Sequence, residues 1–62
     1  MEQLLDPETA GKMLGIRTLT VYRWVRERKI PFLKVGGAVR FRPSALEAWL
    51  KEREHLPQPE VH

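Results

Sequence analysis

Residues 11–29 of the chain read GKMLGIRTLTVYRWVRERK. The stretch holds two helical patterns with a glycine, Gly15, between them. A glycine with positive φ ends helices, so Gly15 predicts a tight turn and Ile16 a plug in the corner it makes. The second pattern begins near Thr18, the candidate N-cap, a role that Arg17 can also take. Val21, Trp24 and Val25 fall at i, i+3, i+4 and Arg28 comes next on that stripe. Thr20, Arg23 and Glu27 fall on the opposite side, with Tyr22 and Arg26 flanking. One helix therefore has a core side, to which Trp24 belongs by its spacing, and a basic, hydroxyl-bearing side.

Upstream, Leu5 precedes Asp6-Pro7-Glu8. Asp6 is a good N-cap, Pro7 suits the first helical position, and Glu8 favours the positive end of the helix dipole. These residues start a first helix that runs to about Leu14. Its apolar stripe is Ala10, Met13 and Leu14. Leu5 and Ala10 have the spacing of a weak hydrophobic staple. Gly11 inside the helix costs about 1 kcal/mol against alanine, and a close approach of the next helix would explain it.

Downstream, Pro31 stops helical structure and holds Ile30 extended. FLKV, Gly36-Gly37 and VRFR then predict a β-hairpin. Leu33 and Val35 alternate onto one face of the first strand, as do Val39 and Phe41 on the second. All four share a face if Val35 opposes Val39, which implies a three-residue loop, Gly36-Gly37-Ala38. A two-residue loop would pair Val35 with Ala38 and set Leu33 against Arg40. The first register is expected, because the second exposes part of the hydrophobic set. Lys34, Arg40 and Arg42 would then line the outward face together. Ser44 and Glu47 have capping-box spacing at the start of a last helix, whose stripe is Leu46, Trp49 and Leu50, extended by the stem of Arg53. Glu47 and Lys51 are spaced for an i, i+4 ion pair. The tail, residues 55–62, has two prolines and no pattern, and is expected to be disordered.

Sixty-two residues allow one small domain with a modest core. There is no cysteine, so a disulfide framework and a thiolate metal site are excluded, which fits a reducing cytoplasm. No apolar run approaches the roughly 20 residues of a membrane span, and MEQLLDPE lacks the order of a signal peptide. No catalytic arrangement, metal-ligand spacing or phosphate loop is present; His55 and His62 are surface histidines, and no cofactor is expected. The net charge of +3 conceals an asymmetry. Between Arg17 and Arg42 there are eight bases and one acid, Glu27, for +7, while the remainder of the chain carries −4. One positive face is implied, and nucleic acid is the natural partner for it. A positive helix entered through a glycine turn suits the major groove of DNA.

The elements are ordered helix, turn, basic helix, hairpin, helix. The expected fold is α+β and mostly helical, a winged helix-turn-helix with a two-stranded wing and a C-terminal helix, over residues 1–54. The segments LLDPETAGKMLGI and TLTVYRWVRERKIPFLKVGGAVRFRPSALEAWL resemble the excisionase-family, MerR-like DNA-binding domains. The resemblance covers most of the chain and rests on the order and spacing of pieces that are weak singly. It departs at Ala38, where many relatives carry a polar or basic residue at the wing tip. The resemblance implies sequence-selective binding to double-stranded DNA without catalysis, in a recombination directionality factor or small transcription regulator. The setting it implies is cytoplasmic, at the nucleoid. It maps Arg17, Thr18, Thr20, Tyr22 and Arg23 onto helix-turn-helix contacts, and Lys34, Arg40 and Arg42 onto the wing. An integrase or recombinase, or further copies of the chain on DNA, would be its partners.

The residues support those roles on physical grounds. Arg23 suits bidentate contact with guanine O6 and N7, and equally a phosphate contact. Thr18 and Thr20 suit phosphate binding at the helix start or capping alone. Tyr22 suits the DNA backbone or the edge of the core. Arg26, Arg28 and Lys29 supply charge or lie over the core with their stems. The alternative function is an adaptor that recruits a recombinase or polymerase through the acidic last helix, with Glu47, Glu52 and Glu54.

Overall fold

The computed structural model describes residues 2–55 and 57. Its elements are α1 (Pro7–Leu14), α2 (Thr18–Arg26), β1 (Leu33–Val35), β2 (Ala38–Arg40) and α3 (Pro43–Arg53). Three helices and one antiparallel pair make a winged helix-turn-helix, as the order of elements predicts. The tail expected beyond residue 54 falls largely outside the described residues.

α1 begins and ends where its sequence places it. The Asp6 carboxylate accepts from the Thr9 N–H at 2.7 Å, and Pro7 occupies the first turn. At the other end Ile16 N–H donates to Gly11 O at 2.9 Å and Gly15 N–H to Lys12 O at 3.3 Å, with Gly15 at φ 72°. This is the Schellman arrangement, and it swings the chain directly into α2. Gly11 sits where the helices meet: a Cβ there would lie 2.9 Å from Ile16 O and 3.4 Å from Val21 Cγ2. Ala10 is fully buried and Leu14 partly so, but Met13 is 45% exposed and lies off the stripe expected for it.

α2 starts at Thr18, with Arg17 rather than Thr18 as its N-cap and no side-chain cap. It ends at Arg26, so Arg28 does not continue the helical stripe. A second Schellman pair closes it: Lys29 N–H donates to Trp24 O at 2.8 Å and Arg28 N–H to Val25 O at 3.1 Å. Arg28 takes the left-handed position at φ 58°, which favours glycine. The helix is therefore stopped before Pro31. Ile30 then turns into the core, 3% exposed.

The wing departs from its expected register. Its partners are Leu33↔Arg40, Lys34↔Val39 and Val35↔Ala38, which leaves a two-residue loop, Gly36-Gly37. Both glycines have positive φ, 57° and 86°, the pattern of the tight turn that matches strand twist. The backbone preference of the Gly-Gly pair thus outweighs burial of Val35, which is 53% exposed. Residues opposed in an antiparallel pair share a face, so Lys34 and Val39 lie on one face and Leu33, Val35, Ala38 and Arg40 on the other. Phe32, rather than Leu33 or Val35, joins Val39 and Phe41 against the core.

The lead-in residues form part of the fold. Leu5 and Phe41 exchange two backbone hydrogen bonds of 2.8 Å, a short antiparallel bridge beyond the wing. Glu2 reaches α3: its carboxylate accepts from Ser44 N–H at 2.8 Å and Ser44 Oγ at 2.7 Å, with Arg42 Nε at 3.8 Å. The capping box expected from Ser44 and Glu47 is absent, because the N-cap is Arg42, two residues before Ser44, and α3 starts at Pro43. Ser44 is therefore inside the first turn, and a carboxylate distant in sequence takes the cap. The core comprises Ala10, Val21, Val25, Ile30, Phe41 and Leu46. Trp24 and Trp49 pack against it with ring centroids 5.9 Å apart, and Trp49 Nε1 donates to Lys29 O at 2.8 Å. Arg53 lies over the Trp49 ring at 4.3 Å, while Leu50 is exposed. Glu47 and Lys51 do not pair; the i, i+4 ion pair found among the described residues is Glu8–Lys12 at 3.6 Å.

Candidate nucleic-acid interface

Burial of Val21 and Val25 fixes how α2 is turned about its axis. With those two against the core, Leu19, Tyr22, Arg23 and Arg26 point outward, at i, i+3, i+4, i+7. All four are exposed, whereas Thr18 and Thr20 are half-buried at the margin of this face. The outward stripe is thus centred on Tyr22 and Arg23, and Thr20 does not lie on it as the periodicity had placed it. Trp24 is half-buried against Trp49, on the core side assigned to it.

The amino end of α2 differs from those of its neighbours. α1 has Asp6 over its end and α3 has Glu2. α2 has no side-chain cap and no acidic residue in its first turn. Its unpaired N–H groups and positive dipole end are accessible to an outside anion, with Arg17 exposed beside them.

A groove runs between α2 and the wing. It is lined by Tyr22, Val25, Arg26, Arg28, Phe32, Lys34 and Val39. The wing register turns Lys34 toward α2, so three cations meet along this groove. Arg28 is a member that its supposed helical position concealed. The left-handed turn carries it out of the helix and sets its guanidinium 5.9 Å from the Phe32 ring. Arg40 lies on the other face of the hairpin, half-buried, and its Nη1 donates to Val39 O at 2.7 Å. Arg42 faces Glu2 at the start of α3. The three wing bases therefore do not share one outward face: Lys34 joins α2, and Arg40 and Arg42 do not.

Ion pairing leaves this surface positive. Ion pairs among the described residues engage Lys12, Lys29 and Arg42. Among the described residues Arg17, Arg23, Arg26, Arg28 and Lys34 have no carboxylate within pairing distance, and outside this surface the same holds for Arg40, Lys51 and Arg53. The carboxylates that are held lie elsewhere. Hydrogen bonds from the Ser44 side chain and backbone hold Glu2 below its ordinary range, aided by Arg42. Those from Thr9 do the same for Asp6. No group of three or more His, Asp or Glu side chains among the described residues is arranged to hold a metal ion.

A family model for the helix-turn-helix domain matches residues 4–54. The chain belongs to the helix-turn-helix domain family. Helix-turn-helix domains are DNA-binding devices that set the second helix of the pair into the major groove. The second helix of the pair in this helix-turn-helix domain is α2, the helix with the uncapped end and the basic outward face. No curated protein and no solved structure gives a significant match. No helix among the described residues is long and apolar enough to cross a membrane.

Of the residues the structure adds to this face, Leu19 has no role in the sequence pattern and Arg28 only that of a charge or a stem over the core. The spacing of Leu19 from Tyr22, Arg23 and Arg26 is legible in the sequence, and becomes decisive once Val21 and Val25 are known to face inward. Arg28 had no local signal beyond its charge.

Proposed function

We propose that this domain binds double-stranded DNA with sequence selectivity, α2 in the major groove and the wing against the adjoining backbone. The observation that carries the reading is the alignment of Tyr22, Arg23 and Arg26 on the exposed side of α2, beside a groove that adds Arg28 and Lys34. Arg23, fully outward and unpaired, reads guanine O6 and N7 by two parallel hydrogen bonds. Arg17 and the open amino end of α2, with the Thr18 and Thr20 hydroxyls at its margin, hold phosphate. Tyr22, Arg26, Arg28 and Lys34 follow the backbone across the groove. Arg40 and Arg42 contribute charge from the far side of the wing. The biological output that the resemblance to excisionase-family domains supports is recombination directionality or transcription control, with DNA sites arrayed so that copies lie side by side.

Selection of a random duplex library tests the reading. The wild type is expected to enrich one motif containing a guanine, and Arg23→Ala to lose the preference for that guanine while remaining folded. An enriched motif that is unchanged in Arg23→Ala would remove Arg23 from the reading head. The absence of any enriched sequence would favour an adaptor role through the acidic face of α3 instead.

A further inference from the structure

Leu19 is 78% exposed, more than any other large apolar side chain of the described residues. One exposed leucine is ordinary on a protein surface, so its exposure alone decides nothing. Its position does. Leu19 stands on the first turn of α2, on the same outward stripe as Tyr22, Arg23 and Arg26. Residues near the amino end of such a helix are the ones that reach base edges. The other members of the stripe are polar or cationic, so Leu19 does not belong to an apolar patch of the size a protein partner would bury.

A leucine side chain neither donates nor accepts a hydrogen bond. Against most base edges in the major groove it would cover polar groups and leave them unpaired, which is unfavourable. The groove presents one apolar group, the 5-methyl of thymine. We propose that Leu19 is a specificity-determining residue that packs on the 5-methyl group of a thymine near the guanine contacted by Arg23. This rests on the DNA-binding reading above and narrows the sequence that the domain accepts. Four residues separate Leu19 from Arg23, about 6 Å along the helix, or roughly two base-pair steps. The thymine should therefore stand within about two base pairs of that guanine.

Removing one methyl group from the DNA tests the assignment. The full chain is first passed through selection on random duplexes. Each thymine of the enriched motif is then replaced singly by deoxyuridine, which deletes the methyl and preserves base pairing. At one thymine near the Arg23-dependent guanine, the wild type should lose roughly three- to tenfold in affinity, the scale of one buried methyl or better. Leu19→Ala should lose less than about twofold from the same replacement, because the methyl then has no packing partner. The exposure of Leu19 means that this variant keeps its fold, checked by its unchanged melting temperature. Equal wild-type affinity for every deoxyuridine duplex overturns the assignment but leaves the enriched motif, and hence the DNA reading, intact. So does an equal loss in wild type and Leu19→Ala. If Leu19→Ala binds the parent duplex as the wild type does but loses self-association or capture of a recombinase, the leucine is a protein contact instead. Failure to enrich any motif overturns the DNA reading and the thymine contact with it.

Discussion

Replacing Gly11 by alanine sets helix propensity against helix packing, and the two predict opposite signs. In an exposed helix the change stabilises by about 1 kcal/mol, because alanine loses less backbone entropy on folding. Here the new methyl would lie 2.9 Å from the Ile16 carbonyl oxygen and 3.4 Å from Val21 Cγ2. The carbonyl is backbone, and it cannot easily withdraw. Ile16 N–H donates to Gly11 O at 2.9 Å, so the turn is tied to the position being enlarged. Val21 is fully buried and belongs to the core cluster. Overpacking of this kind costs about 1–3 kcal/mol, which exceeds the propensity gain for most of its range. The net expectation is destabilisation by about 1 kcal/mol, or roughly 4–8 °C in melting temperature for a domain of this size. Total stability is on the order of 3–9 kcal/mol, so the loss is readily measured. Thermal and urea unfolding followed by far-UV circular dichroism supply the assay. A rise in stability of about 1 kcal/mol would mean that α1 and α2 do not approach closely at Gly11.

Three further outcomes are expected. Glu2 and Asp6 have depressed folded-state pKa values, below the ordinary 4.5 and 3.8, so their stabilisation is full above those values and is lost as pH falls through the folded ones. Melting temperature should decline as pH falls through and below the ordinary carboxylate range, less steeply in Glu2→Gln; parallel profiles would mean that Glu2 does not cap α3. Gly37→Val forces a β-branched residue into a position at φ 86° and should destabilise the wing by roughly 1–2 kcal/mol, read by urea unfolding. Unchanged stability would argue for the longer loop. If about five phosphates are neutralised by the α2 face and groove, the logarithm of the binding constant should fall with the logarithm of salt at a slope of about −4.5. A flat dependence, measured by fluorescence anisotropy on the selected duplex, would contradict the electrostatic reading.

Local signals in the sequence carried the helical frame. Asp6, Pro7 and Gly15 bound α1 because capping chemistry acts over three or four residues and leaves its mark there. The Val21, Trp24 and Val25 stripe oriented α2 for the same reason of short range. What escaped depended on contacts distant in the chain or on competition between local preferences. The Glu2–Ser44 cap links residues 42 apart, and nothing near Ser44 announces it. The wing register was decided by the turn geometry of Gly36-Gly37 against the burial of Leu33 and Val35, and the turn prevailed because the strands are only three residues long. That one-residue difference moved Lys34 to the α2 side and separated it from Arg40. The end of α2 was hidden because a non-glycine residue, Arg28, takes the left-handed position. Leu19 carries no signal in the periodicity, because that pattern reports what the core needs and an apolar residue on the solvent side has no place in it.

Binding through α2 and the wing is tested most directly by mapping where the selected duplex touches the domain. Amide proton and nitrogen resonances would be followed as that duplex is titrated into the isotopically labelled full chain. The largest shifts are expected over residues 17–28 and around Lys34, with the exposed side of α3 about Glu47 and Lys51 unmoved. Shifts concentrated on α3, with α2 undisturbed, would contradict that mode of binding.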